Sequence, residues 1–163
     1  MIRHAGLIAR FQGGGWRGVL IEGPSGAGKS DLALRALDQG WSLIADDRTL
    51  VWTSGRRLWG RAPDALAGLI EARGLGVVAV PRRAFAPVAL VAKCVEPGAV
   101  ERIPEAAVLT LQGLPIPLIA VAAHEASAPA KLGRALMLLD SSSNRRIKRP
   151  ALARVSPGAG GVP

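Results

Sequence analysis

Apolar and polar positions change their period several times along the chain. His4 to Phe11 and Gly18 to Glu22 are dense in Leu, Ile, Val and Ala and too short for helices, which predicts two strands joined by a turn over Gln12 to Trp16. From Ser30 to Gln39 the apolar residues Leu32, Leu34, Ala36 and Leu37 fit a helix, and Gly40 stands where such a helix stops. "WSLIADD" (41–47) is a short apolar run closed by two acids. "TLVWTS" and "RRLWGRA" flank a Ser-Gly turn and predict a hairpin. Ala65 to Ala72 reads as helical or turn-like. "GLGVVAV", "VALVAKCV", "AVLTL" and "IPLIAVAA" are further strand candidates, punctuated by Pro81, Pro87, Pro97, Pro104 and Pro115. Ala130 to Leu139 is a helix candidate, and from Ser141 onward the composition is that of a solvated tail.

Between the second strand and the first helix lies "GPSGAGKS", Gly23-Pro24-Ser25-Gly26-Ala27-Gly28-Lys29-Ser30. Glycines let the backbone wrap tightly, so amide N–H groups converge at the positive end of the following helix and form an anion cradle. Lys29 adds a cation for the β- and γ-phosphate oxygens, and Ser30 a hydroxyl for Mg²⁺. The whole G-x-x-x-x-G-K-[ST] spacing is present between a strand and a helix. The expected class is therefore α/β, a P-loop nucleotide-binding domain with a strand-rich second half.

The 163 residues suffice for one core, which must be aliphatic because aromatics are scarce and tyrosine is absent. The formal net charge of +9 favours an acidic partner, yet Arg145, Arg146, Lys148, Arg149 and Arg154 all fall in the tail. With no aromatic-interleaved basic surface, nucleic-acid binding is not expected. The expected division is a catalytic domain over 1–140 and a disordered basic tail over 141–163. A single cysteine, Cys94, excludes a disulfide framework and a cysteine metal cluster. No membrane span or signal-peptide layout is evident, so a soluble cytoplasmic protein is expected.

A phosphate loop leaves a triphosphate incompletely neutralised and its nucleophile unactivated. Asp46 and Asp47 are the best acids available: a strand adjacent to the loop strand would deliver both at its C-terminal end, where phosphates bind in such sheets. Successive residues on an extended chain point apart, so one can serve a metal and the other an incoming hydroxyl.

"GPSGAGKSDLALRALDQGWSLIADDR" resembles the nucleotide-binding core of the HPr kinase/phosphorylase family, bacterial enzymes that phosphorylate a serine of the phosphocarrier HPr and in many members remove it again. "IEARGLGVVA" (70–79) is similar to that family's signature segment, and His4 in "IRHAGLIARF" to its upstream histidine. The resemblance implies ATP and Mg²⁺ as cofactors, with Gly23 to Ser30 on the nucleotide and with Ser30 and Glu71 on the metal. It implies Asp47 as proton acceptor from the attacking serine, Asp46 as support of the metal and phosphate site, and His4 near the transferred phosphate. Arg102, in "ERIPE", takes the place of an active arginine. On their own, His4 reads as an ordinary strand residue, Glu71 and Arg73 as an ion pair, and Arg102 as an exposed cation. His124 has no assigned counterpart and reads as structural; the four tryptophans read as packing or rim residues.

Where the family carries Pro, Arg and Gly linked to dephosphorylation, this chain has "AAHEAS" (122–127), without the two arginines; phosphorylase activity is not expected. The longer members' N-terminal domain is expected to be absent, as in short alphaproteobacterial forms. No match to the family's C-terminal helix is seen beyond Leu139, so carrier docking and the hexamer that the family forms are left open. The function expected is an ATP-dependent protein serine kinase acting on an HPr-like phosphocarrier. A P-loop small-molecule kinase and a non-catalytic nucleotide-sensing module are the alternatives.

Overall fold

The structure, a computed structural model, describes residues 1–147. In chain order the strands are β1 (Ile2–Gln12), β2 (Gly15–Glu22), β3 (Ser42–Ala45), β4 (Arg48–Ser54), β5 (Arg57–Arg61), β6 (Leu69–Ala72), β7 (Gly76–Ala79), β8 (Ala86–Cys94), β9 (Ala107–Leu111) and β10 (Leu114–Val121). The helices are α1 (Lys29–Leu37) and α2 (Ala128–Ile147). The fold is mixed α/β, and strands fill the first half more densely than the second, against the expectation of a strand-rich second half.

β1 and β2 form a hairpin turned at Gly13 and Gly14. Ala5 to Ala9 of β1 and Gly18 to Ile21 of β2 are buried on both faces, which explains their unbroken apolar runs. Ala5, Leu7, Ala9 and Leu20 enter one core with Val51, Leu58, Val88 and Val91. Ile8, Val19 and Ile21 enter a second core, where Leu32 of α1 and Leu132 and Leu136 of α2 are fully buried. Burying each leucine contributes roughly 2 kcal/mol relative to exposing it, so the helices are held to the sheet largely by this face.

The sheet closes on itself: β2 pairs β1, β1 pairs β4, β4 pairs β5, β5 pairs β8, and β8 returns to β2 in parallel. β10 and β9 extend the sheet beyond β8. Pro115 and Pro117 lie where β10 pairs only with β9, so no N–H is needed toward β8 there. The β4–β5 hairpin turns through Gly55 and Arg56, both at positive φ, as tight hairpins require.

Three further expectations are corrected. β3 pairs with β1 and does not neighbour the loop strand β2, because β1 lies between them. Both are antiparallel to β1 and so parallel in sense to each other. Their C-terminal ends, Glu22 and Ala45, sit opposite Ala5 and Leu7 at one edge of the sheet. The segment read as helical or turn-like over Ala65 to Ala72 is a 3-10 turn (Asp64–Leu66) followed by β6, which pairs β7 in a separate two-stranded sheet. Ile70, 1% exposed, anchors that hairpin in the α1 core.

The third concerns the C-terminal helix, which runs past Leu139 to Ile147. Positions 141–147 of the expected tail are thus helical, and residues 148–163, with Lys148, Arg149 and Arg154, lie outside the described residues. No helix among the described residues is long and apolar enough to cross a membrane.

Candidate active site

The β2–α1 loop, the β3–β4 turn and the β6–β7 hairpin meet around a cavity of about 360 Å³ lined by Ser25, Gly26, Gly28, Lys29, Ser30, Asp47, Glu71, Arg73 and His124, among others. The glycine loop is shaped by its own sequence. Gly26 and Gly28 take positive φ of 80° and 86°, and Gly28 is the residue from which α1 starts. Gly23 approaches β8 so closely that a Cβ would lie 2.9 Å from that of Cys94. Lys29 curls back over the loop, its Nζ donating to the carbonyls of Gly23 and Pro24, each at 3.0 Å. An ammonium has three N–H donors, so one is left for an anion in the cavity.

Ser30 opens the first turn of α1 and donates from Oγ to Asp46 Oδ1 at 2.8 Å. The other Asp46 oxygen, Oδ2, accepts the backbone N–H of Glu71 at 3.0 Å. A single carboxylate, 8% exposed, therefore ties the helix, the end of β3 and the β6–β7 hairpin together. Buried carboxylates are costly without partners, and this one has two. Asp47 differs. It is exposed, has φ of 59°, and lines the cavity. Asp is among the few residues that tolerate this left-handed backbone, which turns its side chain out of the strand direction that Asp46 follows.

Glu71 is exposed on the hairpin and shares the cavity with Arg73. Ser30 and Glu71 thus bring hard oxygen donors to the cavity lining, with the Asp46 carboxylate directly behind them. Cys94, 3% exposed, lies behind the loop; burial pushes its thiol up to about 11, against the opposing pull of the Lys29 ammonium.

Of the residues singled out in the sequence, Gly26, Gly28, Ser25, Lys29, Ser30, Asp47 and Glu71 line the cavity, and Asp46 stands directly behind its wall. Gly23, Pro24 and Ala27 build the loop behind it, Ala27 N–H donating to Pro24 O at 3.2 Å. His4 is not among the lining residues. It is exposed on β1 opposite Arg48, the residue after Asp47, and next to Ala5, which faces Glu22 at the start of the loop. Arg102 lies in the exposed stretch before β9 and does not line the cavity. Trp41, 5% exposed, is a packing residue, as expected.

One residue was missed. His124, taken as structural, lies against Gly28 and lines the cavity. The only sequence signal was a polar residue directly after the apolar run of β10 and two alanines, at the same kind of strand end that carries the glycine loop.

The chain is similar to known proteins in sequence and in fold. In sequence, the chain is 46% identical over 75 residues to the HPr kinase/phosphorylase of Mycoplasmopsis pulmonis, covering 46% of this chain and 23% of that protein. It is 48% identical over 64 residues to the HPr kinase/phosphorylase of Lacticaseibacillus casei, covering 39% and 20%. The matched stretch thus spans about a quarter or less of these curated relatives. In structure, the HPr(Ser) kinase/phosphatase of Coxiella burnetii superposes with a TM-score of 0.76 over 92% of this chain and 99% of that one, at 21% identity, a likeness of fold. The family described as HPr Serine kinase C-terminal domain matches residues 4–92, more than half of the chain and every element of the cavity except His124. By that match the chain belongs to the HPr serine kinase C-terminal domain family.

Proposed function

We propose that this domain is an ATP-dependent protein serine kinase whose substrate is a small phosphocarrier of the HPr type. One observation carries the reading: the Asp46 carboxylate accepts from the Ser30 hydroxyl and the Glu71 backbone N–H directly behind the cavity that Ser30, Glu71, Lys29 and Asp47 line.

The donor set suits the cofactors. No group of three or more His, Cys, Asp or Glu side chains among the described residues forms a metal cage of its own. Mg²⁺ takes one or two protein oxygens and completes its shell from phosphates and water. Ser30 and Glu71 would hold it, with Asp46 fixing both by its two hydrogen bonds. When bound, Mg²⁺ neutralises phosphate charge and draws electrons from the bond to be broken. The glycine loop is a P-loop in this reading. Apart from Pro24, which has no N–H, and Ala27, whose N–H donates to the Pro24 carbonyl, its amides and the Lys29 ammonium would cradle the β- and γ-phosphates at the positive end of α1.

Asp47 takes the proton of the incoming serine hydroxyl. The serine oxygen forms a bond to the γ-phosphorus as the bond to the β-phosphate oxygen breaks, leaving phosphoserine, ADP and a protonated Asp47. The domain's contribution is positioning and charge neutralisation. His4, on the same sheet edge, is assigned to the flank of the transferred phosphate. Arg102 would need to move toward the cavity to act. A cytoplasmic setting, linked to phosphocarrier regulation and with assembly of several copies, belongs to the same reading.

The test is direct. The purified protein is incubated with ATP, Mg²⁺ and the genome's own HPr homologue, and the carrier is analysed for phosphoserine by mass spectrometry. Phosphoserine supports the reading; an unmodified carrier, with protein shown by circular dichroism to be folded, defeats the substrate assignment. Hydrolysis of ATP dependent on a metabolite, without the carrier, would transfer the same chemistry to a small-molecule acceptor.

A further inference from the structure

His124 is the residue for which the fold makes the most specific provision outside the glycine loop and the acids. Its imidazole lies flat on Gly28: a Cβ placed on that glycine would meet His124 Cε1 at 2.6 Å, Nε2 at 2.9 Å and Nδ1 at 3.1 Å. Any other residue at position 28 would displace the ring. Gly28 is also the residue from which α1 begins. His124 is exposed and shares the cavity lining with Lys29, Ser30, Asp47 and Glu71.

The ring's position is held from the same helix. Arg35, on α1, donates from Nη1 to the carbonyl of Glu125 at 3.0 Å and from Nη2 to the carbonyl of Ala123. Those are the two residues flanking His124. Arg35 is in turn oriented by Asp31 Oδ2, which accepts its Nε–H at 2.8 Å, and Asp31 lines the cavity. The segment is further closed by Glu125 N–H donating to Ala122 O at 3.1 Å, and by the Glu125–Lys131 ion pair. A surface histidine in an ordinary loop has no need of a guanidinium gripping both its neighbours. Arg35 lies on α1, the helix that Gly28 precedes as its N-terminal cap, so the loop and the residue that grips the His124 segment share one element.

We propose that His124 is a phosphate-contacting residue of the nucleotide site: its ring N–H donates to a terminal phosphate oxygen of a nucleoside polyphosphate held by the glycine loop, and Arg35 is its positioning residue. The inference rests on the nucleotide reading above. It adds a donor from the β10–α2 connection, two strands from β2 across β8, to donors that otherwise come from the loop and α1.

The experiment measures ATP affinity by isothermal titration calorimetry, with Mg²⁺, for the wild-type chain, His124→Ala, His124→Gln, Arg35→Ala and the His124→Ala/Arg35→Ala double variant. A hydrogen bond to a charged group predicts that His124→Ala weakens ATP binding about tenfold. His124→Gln, which keeps an N–H donor, recovers affinity to within about threefold of wild type, a rescue that loss of packing alone would not give. Arg35→Ala weakens binding several-fold when His124 is present and by less than about twofold when His124 is already alanine, since the guanidinium acts through the ring. Thermal melts establish that each variant folds. If wild type binds ATP and His124→Ala binds it equally well, the phosphate contact is overturned and the nucleotide site stands. If wild type binds no ATP, both fall. Additive losses in the double variant would overturn the positioning role of Arg35.

Discussion

Asp46 and Asp47 are neighbours in sequence and opposites in structure. Around Asp46 the molecule is closed: the carboxylate is buried, both oxygens accept hydrogen bonds, and three chain segments depend on it. Around Asp47 it is open: the residue is exposed, sits at a positive φ and faces the cavity. A group that frames a site must be held and desolvated with its partners satisfied. A group that exchanges protons with an incoming molecule must be reachable. The β3–β4 turn meets both demands within two residues by changing backbone region between them.

Substituting the open residue tests that division most severely. Asp47→Asn should lower phosphoryl transfer to the carrier about 10³-fold, the usual scale for a general base, with ATP affinity changed less than about twofold. Transfer rates and a separate binding titration check the two halves, and equal losses in both would assign Asp47 to binding. The closed residue should behave the other way in stability. Asp46→Ala leaves the Ser30 hydroxyl and the Glu71 amide without their acceptor, at about 1–3 kcal/mol for a buried group. Urea denaturation should therefore show a loss of about 2 kcal/mol for Asp46→Ala and almost none for Asp47→Asn. Similar midpoints for the two variants would erase the contrast.

A third effect comes from behind the loop. Burial holds the Cys94 thiol neutral up to about pH 11, above its ordinary value of 9.0. A raised acid in the folded state favours folding below the unfolded value and loses that contribution as pH climbs through the folded one. Wild type should thus lose on the order of 2 kcal/mol between about pH 9 and 11 relative to Cys94→Ala, seen in paired denaturation curves. Parallel curves would place the thiol in contact with water.

The glycine loop and its acids were legible because their chemistry is local: spacing, glycine conformation and a strand end are all written within Gly23 to Asp47. The strand order was not. Whether β3 lies beside β2 or one strand away depends on β1, and no local pattern records which strand intervenes. The run around Ile70 was short enough to serve either as helix or as strand, an ambiguity that periodicity alone cannot break. Ser141 onward read as tail because Ser and Asn are weak helix formers, yet the helix begun at Ala128 carries on through them to Ile147. His124 escaped notice for the reason Arg102 attracted it. One resembled a known position without lying near the cavity, while the other lies in the cavity without resembling anything.

The strand that ends in the glycine loop has hydrogen-bonded neighbours on both flanks, because the sheet curls round to meet itself. A band joined end to end offers no flank from which to peel, so β2 is a fixed mounting. Whatever give the pocket needs must come from the pieces hung on that mounting: the loop itself, and the β6–β7 hairpin, moored by the buried Ile70 and by one carboxylate.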